Sequence, residues 1–186
     1  MEPEDPLPQW VNWFHSTSRT EIVEREILLH EGQRYATDLV NESARILRNL
    51  RQLSVVLILP TQCDDSSHVR LLVITKDVWS LRLNSKYRMK NGVFEYLLLQ
   101  PSEENLAGRH FRVSAEYVYD LSTDTLGATA SHQRLFGSRI AFIAGLHAIE
   151  QRSTHRLEGT TGSFYFGQPL YSTRTEWAWG TTLLWA

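Results

Sequence analysis

The sequence predicts an α+β fold, with an N-terminal helical segment packed on a curved, barrel-like antiparallel sheet. Three observations carry this. Apolar residues recur at spacings of three and four across residues 35–50. From residue 54 onward, short apolar runs alternate with polar turn clusters. Over residues 171–186 the chain alternates with period two, placing Tyr171, Trp177, Trp179, Leu183 and Trp185 on one face of an extended strand.

The 186 residues suit one domain, 10–186, behind an acidic, proline-rich lead-in at residues 1–9. Trp10, Val11, Trp13 and Phe14 form an apolar anchor at its start, where Trp10 and Trp13 suit a core role, as does Trp79 further on. Ser16, Thr17, Ser18 and Thr20 offer N-caps, with Glu21 and Glu24 suited to a first turn, so a helix is expected from about residue 20. The helical stripe Tyr35, Ala36, Leu39, Val40, Ala44, Leu47 and Leu50 faces away from Arg34, Asp38, Glu42, Arg45 and Arg48. Gly32 lies inside one long helix or marks a turn before the second; the long helix is the expectation.

Residues 55–59, ended by Pro60, and residues 69–75 read as strands and hairpin partners around the turn cluster 63–67. Trp79, Leu81 and Leu83 alternate in a third run. Asn91-Gly92 predicts a tight hairpin into residues 93–99, because both residues tolerate positive φ. Residues 101–108 read as a loop, 111–119 as a strand and 122–127 as a turn. Residues 138–151 fit either a helix or a buried strand. Phe164 to Phe166 should face the terminal strand across Gly167-Gln168-Pro169. The segment Gly167-Gln168-Pro169-Leu170-Tyr171, with the strand after it, resembles the closing hairpin of chorismate lyases over a short part of the chain, and no residue role is taken from it.

A net charge of −2 gives no global attraction to nucleic acid or anionic lipid. The single cysteine, Cys63, allows no internal disulfide and no thiolate zinc cluster, which favours a reducing compartment. Its neighbours Asp64 and Asp65 make it a poor nucleophile. The apolar runs are too short to cross a bilayer and the start lacks a secretory leader, so the expectation is a cytoplasmic chain with no membrane contact.

Serine-hydrolase elbows, Walker loops and dinucleotide fingerprints are absent from the sequence, and neither a metal site nor a cofactor is called for. The leading expectation is a non-catalytic binding protein. Its aromatic-lined concavity, built from Trp177, Trp179, Phe164 and Phe166, would hold an apolar or planar small molecule or a protein partner's hydrophobic side chains. One alternative is a cofactor-independent lyase or isomerase using the same cavity, with His147 as base, Glu150 beside it and Arg152 holding an anionic substrate. Another is a nucleic-acid-binding module using the stripe Arg82, Lys86, Arg88 and Lys90 with Tyr87. An exposed terminal strand would also permit dimerisation by edge pairing.

Overall fold

The computed structural model describes residues 16–63 and 68–186. The lead-in, the anchor around Trp10 and Trp13, and the turn residues 64–67 lie outside the described residues. Among the described residues, two helices, α1 (Thr20–Glu24) and α2 (Thr37–Arg48), precede nine strands: β1 (Leu53–Gln62), β2 (Val69–Asp77), β3 (Leu81–Lys90), β4 (Val93–Leu106), β5 (Phe111–Asp120), β6 (Thr123–His132), β7 (Ala141–Gln151), β8 (Arg156–Gln168) and β9 (Trp179–Trp185). The strands form two sheets. β1 and β2 make an antiparallel hairpin, and β3 to β9 make a seven-stranded antiparallel meander in sequence order. The larger sheet is not closed: β3 and β9 are its two edges.

The helices pack on an antiparallel sheet, but there are two sheets among the described residues and the one they cover is the small one. Leu47 on α2 meets Val23, Leu50, Leu53 and Val56 in a compact core, with Ile27, Ile58 and Val73 packed around it. This is the predicted stripe at work: Val40, Ala44 and Leu47 are buried, and Asp38, Arg45 and Arg48 are exposed. The Ser43 hydroxyl donates to the Leu39 carbonyl at 2.7 Å and accepts the Leu28 N–H at 2.8 Å, tying the interhelical segment to the helix. The expected single long helix is two helices. Gly32 adopts φ +78°, outside the right-handed helical region, within a turn closed by the Gln33 N–H on the His30 carbonyl. The residue at the N-cap of α1 is Arg19, and no side chain caps that end.

Several strands run further than their sequence suggests. β1 continues past Pro60 to Gln62, because a strand at the edge of a two-stranded sheet tolerates a residue without an N–H. β4 absorbs the predicted loop: its ladder to β5 leaves out Gln100 and Pro101, keeps one register from Leu99↔Tyr117 to Ser102↔Ser114, and shifts between Glu103 and Leu106. Thr123 to Gly127 is likewise strand rather than turn, and residues 141–151 are strand rather than helix. The terminal strand is shorter than the alternation implies and begins at Trp179. The Asn91-Gly92 hairpin forms as expected, with φ of 50° and 79° at its two central residues. The β1–β2 hairpin and the Phe164↔Leu183 and Phe166↔Thr181 pairings also form.

The helical module sits against one end of the large sheet. At that end lie the connections 107–110, 133–140 and 169–178, and all three touch it. The Arg19 N–H donates to the Gly108 carbonyl at 3.0 Å, and a Cβ on Gly108 would fall 2.3 Å from the Thr17 carbonyl oxygen. Arg134 and Arg139 both engage Glu26. The Thr173 N–H donates to the Glu42 carboxylate at 2.8 Å, and Arg174 pairs with Asp38. The Arg45 guanidinium, followed by the Thr173 N–H, lowers the Glu42 pKa to about 2. At the far end the connections are short, at 91–92, 121–122 and 152–155.

Candidate functional site

The large sheet has two chemically distinct faces, set by register. In β3, Leu81, Leu83, Tyr87 and Met89 share one side, and Arg82, Asn84, Lys86, Arg88 and Lys90 share the other. The pairing carries this division across the meander. Ala115 pairs with Ala128 and Tyr117 with Leu126; these pair in turn with Leu146 and Ala148. Leu146 faces Gly162, which faces Trp185. The result is one largely apolar face, interrupted by Ser85, Glu103 and Thr160, and many of its large side chains are open: Leu83 is 67% exposed, Tyr87 71%, Leu126 66% and Leu146 57%.

Aromatic residues border this face at both ends. Near the helical module, the Phe111 ring lies 5.8 Å from His132 and 6.0 Å from Phe142, and Phe166 lies 5.8 Å from Trp179. This row crosses five strands, β5 to β9. Toward the far end stand Tyr87, Tyr117 and Tyr119, with the Arg152 guanidinium 4.0 Å above the Tyr119 ring. Phe111 and Tyr119 lie on the same strand, and eight residues at ~3.3 Å each separate them by about 26 Å.

The opposite face is rich in small polar residues, among them Ser114, Thr125, Thr129, Ser131, Thr161 and Ser163, with Leu98, Val118, Ile143 and Ile149 set between them. One row is hydrogen-bonded across the strands. Asn84 donates to Gln100 at 3.2 Å, Gln100 donates to Glu116 at 2.8 Å, and the Glu116 carboxylate lies 3.3 Å from His147 Nε2. Between Glu116 and His147 stands Gly127, their register partner on β6. A Cβ there would fall 1.9 Å from the imidazole, so the glycine is what lets His147 reach across the strand.

A second polar cluster lies at the junction with the helical module. The Ser18 hydroxyl donates to Asp77 and lies 2.6 Å from His110 Nε2. The buried Asn105 amide donates to the Ser16 carbonyl at 2.8 Å and accepts the His110 N–H at 2.9 Å. In a nucleophilic relay the imidazole stands between hydroxyl and carboxylate. Here the hydroxyl stands between the other two, so the arrangement is a joint. Burial lowers the His110 pKa, and Asp77 opposes that shift.

The residues singled out from sequence are dispersed. Trp177 lies in the 169–178 connection and is 77% exposed. Trp179, Phe164 and Phe166 stand side by side on the apolar face, where Trp179 is 49% and Phe164 37% exposed. His147 and Glu150 project from opposite faces of β7, with Arg152 in the turn beyond. They have separate partners: Glu116 for His147, His155 for Glu150 and Asp124 for Arg152. Arg82, Lys86, Arg88 and Lys90 do share the polar face, but Tyr87 points the other way. Within that stripe Arg88 is paired with Glu95 at 3.2 Å. Glu26, Asp77, His110, Glu116, Arg134 and Arg139 carried no local sequence signal, since each acquires its partners from distant segments. The two-faced pattern did carry one: the alternation noted in the last strand and in β3 recurs through β5 to β8.

Among the described residues there is no cluster of three or more His, Cys, Asp or Glu able to hold a metal, and no helix long and apolar enough to cross a membrane. No family model matches the chain, and no curated protein matches its sequence. The structure is similar to that of BamA from Haemophilus ducreyi lacking POTRA domains 1–3, with a TM-score of 0.61 at 9% identity. The match covers 81% of this chain and 29% of that one, so the chain spans less than a third of the length of the protein it resembles.

Proposed function

We propose that β3 to β9 form one arc of a membrane-embedded antiparallel barrel, with the apolar face in lipid, the polar face toward the lumen and the helical module at one mouth. The observation that supports this best is the apolar face itself. It extends over seven strands, no helix among the described residues packs on it, and aromatic rows border it about 26 Å apart along β5, roughly 20 Å along the normal for a strand tilted by 35–45°. An outward apolar band roughly 25 Å tall between aromatic girdles is the pattern of a transmembrane barrel wall. In water such a face would be an aggregation hazard.

Run length alone does not oppose this reading. A helix needs about 20 apolar residues to span a bilayer, whereas a tilted strand needs about 9–11, only alternate ones of them apolar. The strands β3 to β8 have 10 to 14 residues each. The many small polar residues of the opposite face suit a lumen, where Gly127 leaves room for the His147 imidazole reaching across from β7.

The test uses adjacent residues of β6. In a Cys63→Ser background, a cysteine replacing Leu126 or Thr125 is labelled with an environment-sensitive fluorophore after reconstitution into phosphatidylcholine vesicles. The label at 126 should shift to the blue and be quenched by spin-labelled lipid, and that at 125 should not. Equal solvent access at both positions, with the chain left in the aqueous fraction after flotation, would overturn the reading.

A further inference from the structure

We infer that the recess between α1 and the module end of β6 binds the phosphodiester of an anionic phospholipid, with Arg25 and Arg109 as its two cations. The inference rests on the membrane reading, which sets the depth of the recess, and on the charges lining it, which set its chemistry.

The walls of the recess include Arg25, Arg109, His132, Gln133 and Arg134. His132 places it on the lipid side. That residue belongs to the aromatic row of the apolar face, whereas its polar-face neighbours Arg112 and Ser131 take no part in the lining. Depth follows from the same row. Arg109 stands two residues before Phe111, at most about 7 Å along the chain. The headgroup zone extends roughly 5–8 Å beyond the hydrocarbon of each leaflet, so on the membrane reading Arg109 lies at phosphate level.

Charge follows from what is already paired. Glu26 is the one carboxylate in the lining, and it binds Arg134 and Arg139. His132 adds no charge. Its Nδ1 accepts the Arg134 N–H at 2.9 Å, so the proton sits on Nε2, 3.0 Å from the Arg109 carbonyl. Burial lowers the His132 pKa, the bond to Arg109 opposes this, and the nearby Arg25 cation adds to the lowering. Of the other acids on α1, Glu21 faces Arg19 at 3.9 Å and Glu24 lines a separate cleft toward β2. The guanidiniums of Arg25 and Arg109 are left, both exposed and neither with an acidic partner among the described residues.

A guanidinium fork matches phosphate oxygens through paired N–H bonds. A free phosphate would satisfy that chemistry too. What favours a lipid is the apolar wall beside the recess, where the Phe111 ring lies 5.8 Å from His132 and 6.0 Å from Phe142. Phe136, on the connection after β6, is 98% exposed, and a Cβ on the adjoining Gly137 would fall 3.3 Å from the Arg25 guanidinium. An open ring beside a cation suits the boundary where acyl chains meet headgroups.

The experiment labels Gln133→Cys, in a Cys63→Ser background, with an environment-sensitive fluorophore in phosphatidylcholine vesicles. Phosphatidylglycerol or phosphatidylcholine spin-labelled near the headgroup is then titrated in as quencher. Phosphatidylglycerol should half-quench at a mole fraction about 25-fold lower, roughly fivefold for each arginine. Arg25→Gln with Arg109→Gln should abolish that preference, and Arg25→Lys with Arg109→Lys should keep most of it, with thermal unfolding unchanged as the folding control. A label on Ser122→Cys, in a connection at the far end, should show no preference, and excess inorganic phosphate should leave the quenching at 133 unchanged. Equal quenching by both lipids at 133, the same preference at 122, indifference to the glutamine pair, or loss of quenching to inorganic phosphate would overturn the inference, while lipid quenching of a label on Leu126→Cys would show the membrane reading intact. A chain left in the aqueous fraction, unquenched at 126, would sink the membrane reading and the site with it.

Discussion

The indole of Trp185 covers the backbone of Gly162, its register partner on β8, so closely that a Cβ on the glycine would fall 2.0 Å from the ring's Cζ2. An aromatic ring over a strand glycine pins register at a sheet edge, because the ring supplies the packing the glycine lacks. Gly162→Ala should therefore displace the indole and cost about 1–3 kcal/mol, as overpacking does. Thermal unfolding measures the loss. In a Trp185→Ala background the same substitution should cost much less, and an undiminished cost would show that the ring is not the obstacle.

Leu146 separates the membrane reading from a soluble one. Its side chain is open on the apolar face, so in water Leu146→Arg should change stability by no more than about 0.5 kcal/mol. Against lipid the same change should cost roughly 2–4 kcal/mol and depress insertion into vesicles. Thr182→Arg, on the polar face of β9, should leave insertion intact. Equal insertion by both variants would argue that neither face meets lipid.

Glu26 holds the helical module to the sheet. Its carboxylate is 5% exposed, receives both forks of the Arg134 guanidinium, and lies 3.1 Å from Arg139. Glu26→Gln removes the charge and leaves two guanidiniums facing one neutral amide, and breaking a buried pair in this way costs about 3–5 kcal/mol. Hydrogen exchange should accelerate across residues 19–27 while the strand amides of β5 to β7 keep their protection. Unchanged exchange in that segment would show that the ion cluster does not secure the module.

His110 gives the junction a pH dependence whose sign follows from burial. The folded pKa lies below the ordinary 6.5, so the native state binds fewer protons than the unfolded chain in the window beneath that value. The contribution of the joint is full above 6.5, falls as pH drops toward the folded pKa, and is flat below it. Denaturant midpoints at pH 8 and pH 5.5 should differ more for the native chain than for His110→Gln. Equal differences would remove His110 as the titrating group.

The local elements were readable where local chemistry decides them. Asn91-Gly92 specifies its turn through positive φ, the stripe through Val40, Ala44 and Leu47 specifies α2, and the run at 69–75 specifies an edge of the hairpin. Pro101 and Pro60 misled the reading, because a gap in the β4–β5 ladder and an edge position each accommodate a missing N–H. Gly32 misled it too, since a glycine's helical cost is small and only the backbone shows whether its left-handed conformation is in use.

The sequence by itself determined the faces: period-two alternation assigns every β3 side chain to an apolar or a polar side before any pairing is known, because a strand has no other periodicity. It also determined the strand-rich character and the helical stripe. Only the tertiary structure decided that the helices cover β1 and β2, that seven strands stand in one meander, and that Glu26 meets Arg134 and Glu116 meets His147. Those contacts join residues up to 108 apart, and no local propensity encodes which distant strand will be a neighbour. Whether an indole faces a cavity or an open surface is likewise a property of what packs against it, and nothing in the alternation of residues 171–186 could state what would.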